Sequence, residues 1–312
     1  MIKNAINFLI RRFIELIEIW SIRLIHIKTY FSYIFESKDN SYYVDTKKIN
    51  SIGRGDGISG FYRVRNEEKF LEKSVESHIK YLDEIIIVYN NCSDSTGQIA
   101  RNLEKKYPDK IKVYEYKPIV NPATSIDHIL TPSKSIHSLA NYYNFALSKT
   151  TKKIAVKIDA DHIAYSEKFR QKTNEIRSMG LQTMLFFYGV NINIENNNIY
   201  INEKNPFTYG LDCGFFPVSR NTYFINRKNC ESLRLPISMY FSRKSLGVLF
   251  YHLKYIKNDF DSNILIKNKI YTSSYLKNKH KWTQDIKLIT WKEARNKYEL
   301  LSDVNVEDLR NI

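Results

Sequence analysis

Apolar residues recur along the first part of the chain with the spacing of an α-helix. Between residues 1 and 36 they stand three and four positions apart, at Ile2, Ile6, Leu9, Phe13, Leu16, Ile17, Trp20, Leu24 and Ile27. This spacing predicts an amphipathic helix. Two interpretations of the helix are open. It lies in the plane of a membrane with Trp20 at the headgroups, or it packs on the protein's own domain.

Short apolar runs then alternate with helical patterns. Strands are predicted at 58–64, 85–88, 111–114 and 154–158, and helices at 70–82 (with Asn66 as N-cap), 99–107, 138–148 and 167–179. Brief β-branched runs are typical of buried parallel strands. Their alternation with helices predicts right-handed crossovers. The expected fold class is α/β, with a Rossmann-like, mostly parallel central sheet flanked by helices. Antiparallel strands follow at 184–194 and 199–202, whereas 118–135 and 205–236 are expected to be loops or irregular.

Composition limits the classes of protein to which the chain can belong. Its 312 residues, 43% of them apolar, suffice for a globular core. Lys and Arg number 48 against 33 Asp and Glu, a net charge of +15 that favours an anionic partner. The three cysteines argue against a disulfide scaffold and a zinc finger, and they fit a reducing compartment.

Charges interrupt the most apolar stretch of the chain, which is the N-terminal one. Arg11, Arg12 and Glu15 break it after only a few residues, whereas a membrane-spanning helix needs about 20 nearly uncharged positions. A secretory signal would need a small-residue cleavage site after the apolar run, and none follows. The protein is therefore expected in the cytoplasm, peripheral on the inner face of the membrane if the helix binds lipid.

Two aspartates follow the fourth predicted strand. Asp159 and Asp161 are two positions apart, so in extended backbone both side chains project to the same side. Carboxylate oxygens are ligands that Mg²⁺ and Mn²⁺ accept, and ligands of open α/β sheets bind beyond the carboxyl ends of the strands. The spacing indicates a divalent-metal site. The alternative is a simple capped turn.

Four segments, in this order, resemble the motifs of the family 2 glycosyltransferases, which are inverting enzymes with the A-type glycosyltransferase fold. The segments are 64–68 (VRNEE), 86–96 (IIVYNNCSDST, similar to IVVDNGSTDGT), 143–149 (YNFALSK, similar to RNxGLxxA) and 157–161 (KIDAD, similar to FLDAD). The resemblance is good from residue 57 to about 165 and weak elsewhere.

The resemblance implies a nucleotide-diphosphate sugar as donor, expected to be a UDP-sugar, with Mn²⁺ or Mg²⁺ on the diphosphate. The residues implied in donor binding are Arg63, Arg65, Asn66, Asn90, Asp94, Asn144, Lys157 and Asp159. Solvated surface cations are the alternative for the two arginines and the lysine. Tyr89 stands where the family usually has an acidic residue that reads the base. Base recognition would then fall to Asn90 or Asp94.

Inversion requires a general base that takes the proton of the acceptor hydroxyl. The candidates in the second half are Asp212, which glycines flank and aromatic residues follow, and Glu231. A turn aspartate is the alternative for Asp212. His252 is the candidate third metal ligand beside Asp159 and Asp161, because neutral imidazole suits Mn²⁺. The alternative for His252 is a histidine on a helix surface.

Residues 240–283 are basic and aromatic. Such composition is compatible with nucleic-acid binding. However, no nucleic-acid motif accompanies it, and an anionic membrane or glycan surface agrees better with the N-terminal helix.

Together these features predict a metal-assisted inverting glycosyltransferase that acts on a capsule or lipopolysaccharide acceptor, which is a glycan or a lipid-linked glycan. The divisions expected are a 1–40 helix, a 41–56 linker, a 57–165 nucleotide-sugar half, a 166–260 acceptor half and a 261–312 basic extension. The alternative outside enzymes is a degenerate glycosyltransferase-like protein that binds membrane or nucleic acid. A sugar nucleotidyltransferase is disfavoured, because residues 61–66 lack its glycine-rich loop.

Overall fold

A computed structural model describes residues 2–35, 41–195, 198–253 and 287–309. The helices are α1 (Ile2–Ile25), α2 (Ile27–Ile34), α3 (Leu71–Ile79), α4 (Thr96–Lys106), α5 (Ile126–Leu130), α6 (Leu139–Lys149), α7 (Ser166–Met179), α8 (Ile237–Ser242) and α9 (Trp291–Lys297). Short 3-10 helices lie at Thr46–Lys48, Glu299–Leu301 and Glu307–Leu309.

The strands alternate with these helices in the first half and follow one another in the second. They are β1 (Gly55–Val64), β2 (Glu84–Tyr89), β3 (Ile111–Glu115), β4 (Lys152–Ile158), β5 (His162–Ala164), β6 (Leu185–Glu195), β7 (Asn198–Asn202), β8 (Phe207–Pro217), β9 (Tyr223–Asn226), β10 (Glu231–Arg234), β11 (Lys244–His252) and β12 (Leu288–Thr290).

Ten of the described strands form one sheet, in which β12-β7-β6-β8-β4-β1-β2-β3 lie side by side. The neighbours β3-β2-β1-β4 are parallel, as the alternation with helices predicts. Strand β8 joins β4 to β6 through antiparallel pairs, and β11 pairs parallel with β6 and antiparallel with β5. Strands β9 and β10 form a separate hairpin. The α/β class and the Rossmann-like central sheet are confirmed.

Alternate positions of the central strands face opposite layers of helices. Tyr62 and Ile87 belong to a core shared with α3, α4 and α7. Phe61 and Ile86, one position earlier on each strand, belong to a second core shared with α6. Because both faces are covered, β2 is apolar from Ile85 to its end at Tyr89. The helices thereby fix the strands whose carboxyl ends form the site.

Several expectations about individual elements are wrong. Asn66 does not cap a helix: its φ is +54°, and α3 begins only at Leu71. The region 118–135 contains α5, and 205–236 contains three strands instead of irregular chain. Helix α5 is a single short turn, which periodicity cannot detect. Strand β8 is rich in aromatic residues on both faces, so it lacks the alternation that marks a half-buried strand.

The N-terminal helix is present, with a break between α1 and α2 at His26. It contacts α5. None of the described helices combines the length and the apolar character that a membrane span requires. At the other end of the chain, Ala294, Leu301 and Leu309 pack in a third core with β6 and β11.

Candidate active site

The carboxyl ends of β1 and β4 define the place of the site. From β1 the chain progresses through β2 to β3 on one side, whereas β4 lies on the other side of β1. This reversal of strand order is the point at which open α/β sheets bind their ligands. Val64 ends β1 and Ile158 ends β4. The aspartates that follow β4 therefore stand at the topological switch point, as the sequence predicts.

One carboxylate and two imidazoles come together just beyond β4. The ligand atoms of Asp161, His162 and His252 all lie within 4.8 Å of one another, and all three residues are buried. His252 Nε2 is 3.3 Å from Asp161 Oδ2, and His162 Nε2 is 4.0 Å from Asp161 Oδ1. Among the predicted ligands, the structure thus brings Asp161 and His252 into contact.

Pairing between strands distant in sequence creates this cluster. Strand β5 runs antiparallel to β11 with His162 opposite His252. The Leu253 amide donates to the Asp161 carbonyl at 2.9 Å and continues the pairing. The two imidazole rings meet edge to face, with centroids 5.0 Å apart. His252 consequently lies on a buried strand and not on a helix surface.

Asn191 determines which nitrogen of His252 faces the carboxylate. The Asn191 amide nitrogen donates to the Asn205 carbonyl, so its Oδ1 is the atom 2.9 Å from His252 Nδ1. Nδ1 therefore carries a proton and donates it to Oδ1. Thr208 also donates to that oxygen, at 2.5 Å. This arrangement is the kind of outer contact that orients metal-binding histidines.

The surroundings of the second ring nitrogen of His252, Nε2, indicate whether the cluster can accept a metal ion. Nε2 faces Asp161 Oδ2, and two lone pairs at 3.3 Å would repel each other. A cation between them, a proton or a metal ion, removes the repulsion. Burial lowers the pKa of His162 to about 3, although Asp159 acts in the opposite direction. His162 is then a neutral imidazole with a lone pair to share, so the donor set fits a divalent metal.

Asp159 lies at the edge of this cluster and pairs with a cation. Its Oδ2 is 3.2 Å from Lys157 Nζ and 3.9 Å from His162 Nε2. Burial alone would raise the pKa of Asp159, but Lys157 and the other nearby positive groups lower it to about 2. Asp159 is therefore a carboxylate at neutral pH. Its ion pair with Lys157 distinguishes it from Asp161, although the sequence gives both the same role.

Two cations border Tyr143 on the side of the site away from the histidines. Arg63 donates to the Tyr143 hydroxyl at 2.8 Å, and its guanidinium lies 4.6 Å from the ring centroid. Lys157 Nζ is 5.2 Å from the same centroid. Burial disfavours the charged form of Arg63, but Tyr143 and Glu231 outweigh it and raise its pKa. Arg63 Nε has no hydrogen-bond partner within the described parts of the chain. We call Arg63, Lys157 and Tyr143 the cationic side.

The loops after β1 and β2 are tied to each other. The Asn66 side chain accepts from the Ser93 backbone nitrogen at 2.8 Å and donates to the Ser93 hydroxyl at 3.1 Å. Asp94 accepts from the amides of Glu68 and Thr96. The structure thus brings Asn66 and Asp94 together at one edge of the site. Their roles in donor binding stay predictions.

Other predicted donor-binding residues hold the protein's own backbone. Asn90 donates to the carbonyls of Tyr116 and Pro118, and Asn144 exchanges two hydrogen bonds with the Phe224 backbone. Both asparagines are buried, whereas Arg65 is exposed. These contacts give Asn90 and Asn144 structural functions, and a contact with nucleotide stays a prediction for each.

Tyr89 belongs to the fold at this edge. Its hydroxyl accepts from Arg101 at 2.5 Å, and its ring lies against the start of α4, where a Cβ on Gly97 would be 3.3 Å away. The side chain is 9% exposed. Tyr89 is thus a packed ring of the fold, and base recognition by Asn90 or Asp94 stays a prediction.

The two candidates for the general base lie on different strands. Glu231 begins β10 opposite Asn226 of β9, and this hairpin contacts α6, the helix that carries Tyr143. Asp212 is on β8, but its side chain lies outside the described residues. Residues 254–286 of the basic segment also lie outside them.

Sequence reasoning missed His162 as a candidate ligand and Asn191 as the hydrogen-bond partner of His252. His162 directly follows Asp161, so its position in the sequence was a usable signal. Asn191 has no such signal, because it reaches His252 only through the pairing of β6 with β11.

A comparison with protein families identifies the group to which this fold and site belong. The model of the CgtA family, described as beta-1,4-N-acetylgalactosaminyltransferase, matches residues 24–213, more than half of the chain. The chain belongs to the CgtA family. The protein is thus a member of a glycosyltransferase family. The CgtA match includes Asp161 and His162 and ends before Glu231 and His252.

Solved structures with detectable similarity include S. aureus TarS and a glucosyl-3-phosphoglycerate synthase. S. aureus TarS 1–349 is 13% identical with a TM-score of 0.38, over 62% of this chain and 60% of that chain. TarS 1–349 in complex with UDP-GlcNAc is 14% identical with a TM-score of 0.39, over 62% of this chain and 57% of that chain. Glucosyl-3-phosphoglycerate synthase from Mycobacterium tuberculosis, in complex with Mn²⁺, UDP and phosphoglyceric acid, is 17% identical with a TM-score of 0.29, over 43% of each chain. The chain therefore spans less than two thirds of these proteins. No curated protein matches it.

Proposed function

We propose that this CgtA family member is an inverting, family 2 glycosyltransferase. It moves a sugar from a nucleotide-diphosphate sugar, a UDP-sugar, to a cell-surface glycan of the capsule or lipopolysaccharide type. The observation that carries the proposal is the buried cluster of Asp161, His162 and His252, placed at the switch point beside the cationic side. The family description makes UDP-N-acetylgalactosamine the first donor to test.

Asp161, His162 and His252 would hold the metal. Two imidazole nitrogens and one carboxylate oxygen suit Mn²⁺ better than Mg²⁺, because Mg²⁺ prefers an all-oxygen shell. When bound, the ion would offset the negative charge that develops on the leaving diphosphate. Asn191 would keep the His252 ring in its orientation.

The cationic side would bind the phosphates. Arg63 and Lys157 flank one aromatic ring, and Arg63 has a donor that the described residues leave without a partner. Guanidinium and ammonium groups are strong donors to phosphate oxygens. We therefore expect them to bind the diphosphate of the donor and to remain in contact with it as the glycosidic bond breaks.

Inversion leaves one proton to be removed from the acceptor hydroxyl. Glu231 and Asp212 remain the candidates, and Glu231 has the stronger support, because β10 contacts α6, the helix that carries Tyr143 of the cationic side. In this role Glu231 takes the proton while the acceptor oxygen attacks the anomeric carbon. The diphosphate leaves from the opposite face of the sugar.

The acceptor and the location follow from the same proposal. A lipid-linked glycan would be presented at the inner face of the cell membrane, so the protein would work there as a peripheral protein. The net charge of +15 agrees with an anionic lipid surface. Nucleic acid is not proposed as a partner.

Calorimetry with UDP, GDP, CDP and dTDP, each with and without Mn²⁺, tests the proposal. We expect one diphosphate, UDP, to bind in a Mn²⁺-dependent manner, and Asp161→Ala to abolish that dependence. Asp56→Asn is the control, because Asp56 is an exposed carboxylate at the opposite end of β1. If none of the nucleotides binds to the wild-type protein, the degenerate, non-catalytic alternative is favoured.

A further inference from the structure

The apolar stripe of the N-terminal helix points away from the protein. Six residues of this stripe define what we call the outer face: Phe13, Leu16, Ile17, Trp20, Leu24 and Ile27. Each of these side chains is between 44% and 65% exposed. A helix that packs on its own domain buries its apolar stripe and exposes its charges, so this orientation is the reverse of the ordinary one.

The polar side of the same helix is attached to the domain. Glu15 accepts from the Lys228 backbone nitrogen at 3.1 Å, and Glu18 pairs with the Lys228 ammonium at 2.6 Å. Further along, Arg23 donates to the Ile129 carbonyl at 3.2 Å. Contacts spread along α1 thus fix its rotation about its own axis. The outer face is exposed because the opposite, charged face holds the helix.

The helix α2 continues this arrangement. Asn121 donates to the Tyr33 hydroxyl at 3.0 Å, which attaches α2 to the domain. Phe31 and Phe35 stack on each other and remain exposed. An apolar surface of this extent is unusual on a protein that is surrounded only by water, and such surfaces mark sites of contact with a protein or a membrane.

Charge decides between a lipid surface and a second copy of the chain. Each copy carries +15, so two copies repel, whereas an anionic leaflet attracts. The acidic side chains of α1 do not oppose lipid: Glu15 pairs with Arg12, and Glu18 pairs with Lys228. Lys28 is an exposed cation next to Ile27 of the outer face, and the Arg23 guanidinium lies 5.5 Å from the centroid of the Trp20 ring. Aromatic and aliphatic residues bordered by cations are typical of helices that lie in a membrane interface.

We propose that the outer face inserts into the interfacial layer of an anionic membrane, with α1 parallel to the bilayer plane. The inference deepens the proposed location and rests on it, since it names the surface that binds. It also implies that the active site lies close to the membrane surface. Lys228, which holds α1, lies in the turn between β9 and β10, and Glu231 begins β10. The helix that binds the membrane is thus attached to the hairpin that carries a candidate base.

Flotation with lipid vesicles tests this proposal. The probes are vesicles of phosphatidylcholine alone and of phosphatidylcholine with phosphatidylglycerol. We expect the wild-type protein to bind the anionic vesicles, and Phe13→Glu/Leu24→Glu to weaken binding by about tenfold or more, because two charges enter the apolar layer. The matched control is Ile52→Glu/Met179→Glu, which adds the same charge at two exposed apolar positions outside the outer face.

The outcomes separate this proposal from the proposed activity. If the outer-face variant and the control variant lose vesicle binding equally, the loss is due to net charge. That result would overturn the outer face as the membrane-binding site. A wild-type protein that does not bind anionic vesicles would overturn the proposal too. So would a wild-type dimer that the outer-face variant converts to monomer, since a second copy would then be the occupant. UDP binding without vesicles, together with thermal unfolding, verifies that both variants remain folded.

Discussion

The histidine cluster and the cationic side lie within one site but differ in what their charges require. At the histidine cluster, the Nε2 atom of His252 and a carboxylate oxygen of Asp161 face each other and need a positive charge between them. On the cationic side, Arg63 and Lys157 supply positive charge. The first arrangement suits a cation and the second an anion, and the proposed metal–diphosphate complex would offer both.

The comparison also divides the two aspartates of the motif. Asp161 lies near both histidines, whereas Asp159 lies near His162 alone and pairs with Lys157 of the cationic side at 3.2 Å. Two carboxylates two positions apart in a sequence therefore need not have equal roles. The difference arises because Asp161 has His252 as its neighbour, and His252 comes from a distant strand.

The largest effect is expected from the cationic side. Arg63→Met should lower kcat/KM by on the order of 100-fold or more, because it removes a preorganised donor to the leaving group. Mn²⁺ affinity should stay unchanged. Steady-state kinetics and metal titration measure the two quantities. Arg170→Met is the matched control, since Arg170 is an exposed arginine on α7. A larger loss in Arg170→Met than in Arg63→Met would contradict the comparison.

A smaller effect should separate the two aspartates. We expect Asp161→Asn to weaken Mn²⁺ binding by about 100-fold, because it removes a charged ligand, and Asp159→Asn to weaken it by less than about tenfold. Mn²⁺ titration followed by electron paramagnetic resonance gives both affinities. Equal losses would show that both carboxylates ligate the metal, as the sequence motif suggests, and would end the division of roles.

The smallest effect concerns His78, which belongs to neither side. Burial lowers its pKa to about 4, although a hydrogen bond to the Ser74 carbonyl opposes the shift. Between pH 6.5 and 4, His78 is therefore protonated in the unfolded chain but neutral in the folded protein. The free energy of unfolding consequently falls as the pH drops through this range. The contribution is at most about 1.4 kcal/mol per pH unit.

His78→Phe should remove this part of the pH dependence. Urea unfolding of the variant at pH 7 and pH 5 should show a smaller loss of unfolding free energy than the wild-type protein does. An equal loss of unfolding free energy between pH 7 and pH 5 in the two proteins would show that His78 is protonated in the folded state. The result sharpens the comparison, because it separates the acid sensitivity of the core from that of the site.

Local sequence was enough for the parallel strands of the first half, although it misplaced the start of α3 and missed α5. The strands β2 and β4 were identifiable because a strand buried on both faces has an apolar run at its centre, which is 85–88 in β2 and 154–156 in β4. The loops that follow them were identifiable as well, since turn residues and helix starts are local signals. The position of Asp159 and Asp161 at the edge of the sheet followed from the same signals.

The second half was predicted less well, for a physical reason. Strand β8 is aromatic on both faces, and β9 and β10 are short, so neither gives a clear period. Its site residues also depend on pairing across long stretches of chain. Thr208 and Asn191 meet His252 only because three strands converge.

The sequence by itself determined the α/β order of elements, the aspartate pair, the cationic surplus and the apolar stripe of the first helix. The tertiary structure decided which aspartate joins the histidines and which way that stripe faces. Periodicity shows that a helix has an apolar side but not what lies against it. Contacts of Glu15 and Glu18 with Lys228, more than 200 residues away in the chain, made that choice.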